Sequence, residues 1–140
     1  MLSERQKNWL ARGLVGFVLF FNVQCAIVFL VSPQLYTPGF ELNGPSGVWM
    51  LRGMGILFLM WNVPYAVALW NPSRQRVSLY EAIVMQAIGL VGETILLLTF
   101  PTGHTAVRAT VGRFILFDGS GLLLLLLAAW LVFKKGKLPS

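Results

Sequence analysis

Charge is what this chain has least of. Lys, Arg, Asp and Glu make up 11% of its 140 residues, less than half of the roughly 25% found in soluble domains. So few charges cannot cover a water-exposed surface of this size, and a soluble fold is excluded. Cysteine occurs once, at Cys25, which rules out an intramolecular disulfide, a CxxC redox pair and a cysteine metal cluster. Set inside an apolar run, Cys25 reads as a small inert hydrophobe. Histidine also occurs once, at His104, in a polar break where a surface role is expected. No apolar run therefore offers an axial haem ligand or a Ser-His pair. Acidic clusters suited to Mg²⁺, a GxxxxGK[ST] loop and a strict GxxxG are missing too; the glycine pairs at 13/16 and 89/92 are three apart. Nothing points to a catalytic residue, a metal or a cofactor.

What is there is 56% hydrophobic and carries a net charge of +6. The eleven Lys and Arg form no stripe or aromatic-interleaved patch, so a nucleic-acid partner is not indicated. They gather at the ends of apolar runs, as in a single transmembrane domain over 1–140. Four spans are expected, at about 10–31, 48–70, 78–100 and 106–133. The first resembles a secretory signal in order of parts but is too long, and it lacks a small-residue cleavage site. It is read as a retained span. Residues 32–47 hold three prolines and three glycines and read as a loop. Trp49 and Trp70 bracket the second span, and Pro64 predicts a kink inside it. Asn71 to Arg76 reads as a turn, with Ser78 as the cap of the third span.

The basic residues also set orientation. The N-terminal arm carries Arg5, Lys7 and Arg12, the middle turn Arg74 and Arg76, and the C-terminal tail Lys134, Lys135 and Lys137, while the 32–47 loop has none. By the positive-inside rule both termini are cytoplasmic, in a plasma (inner) membrane. Trp9, Trp70, Tyr80 and Trp130 then fall at the inner interface. Short connections between four spans predict an all-α, antiparallel up-down-up-down four-helix bundle.

Five charges are left over: Arg52, Glu93, Arg108, Arg113 and Asp118. The third span, Leu79 to Phe100, holds Glu93 inside 22 apolar-rich residues. Gln86 and Glu93 are seven apart and share a helical face with Ala82 and Gly89. A carboxylate there is costly unless it meets protein, water or a partner. Glu93 lies about 10 Å below the outer end of its helix, and Arg113 reaches a similar depth on the fourth. Arg52 and Asn62 fall on one side of the second span by face counting, and Asp118 is turned away from Arg113. An ion pair between Glu93 and an outer arginine is expected, either structural or lining a cavity. The plainer account of Arg52 and Arg113 is interfacial snorkelling, and of Asn22 and Gln24, packing between helices.

The length, the topology, the outer loop after the first span and the Leu51-Arg52-Gly53-Met54-Gly55 stretch resemble the DoxX-like group of small four-span bacterial membrane proteins. That resemblance implies a membrane-embedded bundle in redox-associated complexes or small-molecule handling, and carries over no catalytic residue. Three readings of function follow. In the first, Arg52, Glu93, Arg113, Asp118, Gln86 and Asn62 build a polar outer-leaflet cavity. It would accept a small amphiphile, an anionic lipid head group suited to guanidinium, or a partner helix. In the second, Glu93 above Gln86 serves proton-coupled transport. A purely structural subunit of a homo-oligomer or membrane complex is the third possibility.

Overall fold

The computed structural model describes residues 2–133, so Lys134, Lys135 and Lys137 lie outside the described residues. Those described fold into helices only: α1 (Glu4–Val31), α2 (Gly44–Trp61), α3 (Val63–Trp70), α4 (Arg76–Thr99) and α5 (Thr105–Phe133). Helices α2 and α3 together form one span, giving four apolar spans of 28, 27, 24 and 29 residues. At 1.5 Å per residue the shortest is about 36 Å long, beyond the ~30 Å hydrocarbon core of a bilayer. This is a small integral membrane four-helix bundle.

Local chemistry explains the helix ends. Helix α1 begins six residues before the apolar run because Ser3 closes a capping box: its hydroxyl accepts from the Gln6 amide at 3.2 Å, and Gln6 Oε1 accepts from the Ser3 amide at 2.8 Å. The second span breaks at Asn62, with Pro64 in the first turn of α3, where a missing N–H costs nothing. The kink expected at Pro64 is there. Ser78, however, does not cap α4. The helix starts at Arg76 after Gln75, which makes no side-chain cap bond. The preceding turn is already closed by the Asn71 carbonyl, which accepts from the Arg74 and Gln75 amides at 3.0 and 2.8 Å.

The 32–43 connection is compact. It makes two short 3₁₀ turns, Pro33–Leu35 and Pro38–Phe40, before α2 starts at Gly44. Tyr36 and Phe40 pack with Phe29, Phe58 and Phe114; the Phe29 and Phe58 rings stack at 5.5 Å, and Phe40 and Phe114 at 6.0 Å. Glu41 takes a left-handed backbone (φ 54°) and its carboxylate meets His104 Nδ1 at 2.6 Å. His104 thus clips the second connection on this end to the first.

Two storeys result. On the side of the termini the interior is solid and apolar: Ala11, Val15 and Val18 of α1 meet Ala68 of α3, Ala82 of α4 and Ala128 of α5. Alanines at such contacts let helix backbones approach closely, where lipid-like surfaces offer little hydrophobic drive. On the loop side α2 packs on α1, with Gly55 so near the Ala26 carbonyl that a β-carbon would lie 2.9 Å from it. Helix α2 does not pack closely on α4 or α5. Space is left there.

Candidate functional site

The space is a half-open cavity of about 380 Å³, small among ligand sites, which typically run ~300–1,000 Å³. Every span contributes, and Tyr36 reaches in from the loop. Of the residues expected to build a site, Glu93, Arg113, Asp118, Gln86 and Asn62 all line it. Arg52 does not. It lies about two turns below the start of α2 at Gly44, its guanidinium 5.0 Å from the Trp49 ring, with Nε enclosed and unpartnered. Its contact is a cation–π interaction with an indole on its own helix.

A directional hydrogen-bond chain forms the floor. The buried Tyr65 hydroxyl donates to Gln86 Oε1 at 2.6 Å, and Gln86 Nε2 donates to Asp118 Oδ1 at 2.8 Å. Three spans are joined this way. Gly121 of α5 makes room for it, since a β-carbon there would lie 2.7 Å from Gln86 Nε2. Gly89 does the same for the Asp118 carboxylate, which rests against its Cα. The polar face read from Ala82, Gln86, Gly89 and Glu93 is therefore a contact face below and a cavity wall above.

The ion pair expected of Glu93 does not form. Among the described residues the pairs within 4 Å are Lys7 with Glu4 and His104 with Glu41. Glu93 Oε2 is enclosed without a hydrogen-bond partner. The arginines are engaged elsewhere. Arg108 turns back to donate to the Leu97 and Phe100 carbonyls at 3.0 and 3.3 Å, capping the C-terminus of α4. Arg113, exposed on the cavity rim, donates to the Thr110 hydroxyl at 3.1 Å. Arg108 is thus held at the end of α4 and Arg113 by Thr110 on its own helix, and neither pairs with Glu93.

Asn62 is the residue whose state is most telling. Only 5% exposed, it donates from Nδ2 to the Phe58 carbonyl at 2.7 Å and leaves Oδ1 without a partner. A carbonyl can only accept, so the amide cannot be turned over to satisfy the oxygen. Residues that the sequence did not single out complete the wall: Tyr65, Trp61, Phe117 and Tyr36. Their signal was hidden, because an aromatic in an apolar span reads as lipid-facing or packing until its helix is oriented. Burial raises the Tyr36 pKa above its ordinary value; the neighbouring Cys25 thiol adds to this and Arg113 opposes it.

Compared with known proteins, the chain matches no family model, no curated protein and no solved structure.

Proposed function

We propose that this protein is a membrane-embedded binding protein, and that the loop-side cavity holds a small amphiphile. One observation carries the reading. A bundle with a tightly packed apolar half keeps, in its other half, an open space walled by rings and polar groups, two of them with unmet hydrogen-bonding capacity. Buried polar atoms left without partners cost about 1–3 kcal/mol each, and a guest would recover that cost. Transport through Glu93 is the weaker reading. Below the Tyr65–Gln86–Asp118 chain the interior is alanine, valine and leucine, with no polar path among the described residues.

The same proposal includes both termini on the cytoplasmic side of a plasma membrane, and kinship with DoxX-like proteins. The basic N-terminal arm supports the first. For the second the support is the LRGMG stretch, whose Leu51 and Gly55 are buried on α1. The test is native mass spectrometry from mild detergent. The expected result is one small amphiphile retained per bundle, and its loss in Cys25→Trp, where an indole would fill the cavity. A bundle that carries no small molecule counts against binding; a second polypeptide retained in its place supports a structural-subunit role.

A further inference from the structure

Sorting the cavity's polar atoms by what they can still do narrows the guest. Gln86 is committed at both ends and the Tyr65 hydroxyl has given its proton to Gln86. Asn62 Oδ1 and Glu93 Oε2 remain, enclosed and unpartnered; the first can only accept, and the second accepts once a cationic guest holds Glu93 ionised. The amide oxygen of Asn62 accepts at any pH. Asp118, the second carboxylate of the wall, accepts a single side-chain bond, from Gln86. Neutral donors are present on Asn22, Gln24, Tyr36, Trp61 and Thr110, but cationic ones are scarce. Of the arginines, Arg113 alone lines the cavity, and it sits on the exposed rim bonded to Thr110. Arg52 stands outside, and Arg108 is held by the end of α4. Phe58, Trp61, Phe114 and Phe117 add ring surfaces, whose faces are electronegative and favour a cation.

We propose that the guest is an organic amine: a small amphiphile whose ammonium or N–H group donates to Asn62 and Glu93 while its hydrocarbon lies on the aromatic wall. This rests on the cavity being a binding site at all, and it reverses the anionic head group expected from the sequence. An anion brings no donor and would face two carboxylates against one rim guanidinium.

The test compares 4-phenylbutylammonium, 4-phenylbutanol and 4-phenylbutanoate, which share one hydrocarbon arm. Each is titrated into the protein in phosphatidylcholine nanodiscs, with empty nanodiscs subtracted and Trp61 fluorescence as the readout; Trp61→Phe identifies that signal. The ammonium compound is expected to bind saturably and at least about tenfold tighter than the carboxylate. Glu93→Gln and Asn62→Leu should each weaken it about threefold or more. Glu93→Gln is nearly isosteric, so it keeps the test decisive if Asn62→Leu disturbs the helix joint. Carboxylate binding as tight as that of the ammonium, or ammonium binding indifferent to Glu93→Gln, overturns the amine assignment and leaves the cavity as a site. If none of the three binds saturably, the binding function itself falls.

Discussion

The carboxylate of Asp118 rests against the Cα of Gly89, in the volume a β-carbon would take. Helices α4 and α5 can approach there only because α4 has no side chain at that point, and Gln86, one turn away, holds the carboxylate in place at 2.8 Å.

Gly89→Ala should therefore destabilise although alanine is the better helix former. Relief from glycine is worth roughly 1 kcal/mol, whereas displacing the half-buried, hydrogen-bonded carboxylate of Asp118 costs about 1–3 kcal/mol. A net loss is expected in thermal unfolding in detergent. Gly92→Ala is the control: a β-carbon at Gly92 meets nothing within 4 Å, so that variant should be neutral or slightly stabilising. Equal behaviour of the two would show that the Asp118 contact does not hold the helices together.

The hydroxyl of Tyr65 is the sole side-chain donor to Gln86 Oε1 among the described residues. Tyr65→Phe keeps the ring and strands that acceptor. The expected loss is about 1–3 kcal/mol, read as a lower unfolding midpoint. In a Gln86→Leu background, itself destabilised by the loss of the bond to Asp118, Tyr65→Phe should cost less, because no amide oxygen remains to be orphaned. Strict additivity of the two substitutions would argue against a coupled floor.

Arg108 and Arg113 lie five residues apart on α5 and do different jobs. Arg108→Gln removes the cap on α4 and should cost about 0.3–2 kcal/mol of stability, with affinity for any cavity guest unchanged. Hydrogen exchange should quicken at the last turn of α4. A fall in guest affinity without a loss of stability would reassign Arg108 to the site.

Much of this architecture could be read from the chain itself. Span lengths, the Pro64 break and the shared face of Gln86 and Glu93 depend on period and composition, which a sequence displays directly. The partners of the charged groups were not legible. Whether Arg108 bends back to the end of α4, and whether Arg52 stays with Trp49 on its own helix instead of reaching a carboxylate, depends on how the helices rotate against each other. Hydropathy carries no information on that rotation. The pairing expected of Glu93 failed although Arg113 lines the same cavity, because similar depth does not bring two groups into contact and Arg113 is bonded to Thr110 at the rim. Ser78 was misread because caps compete locally, and Asn71 had already closed the turn.

The break at Asn62 leaves the second span as two rods with separate allegiances. The lower rod is locked into the alanine-rich storey by Tyr65 and Ala68, while the upper rod rests on α1 at Gly55 and on the connection before it, where Gly47 meets Leu42. The chamber's wall on this side therefore comes from both rods, with Phe58 and Trp61 above the joint and Tyr65 below it, so one interrupted helix serves the solid half and the hollow half at once.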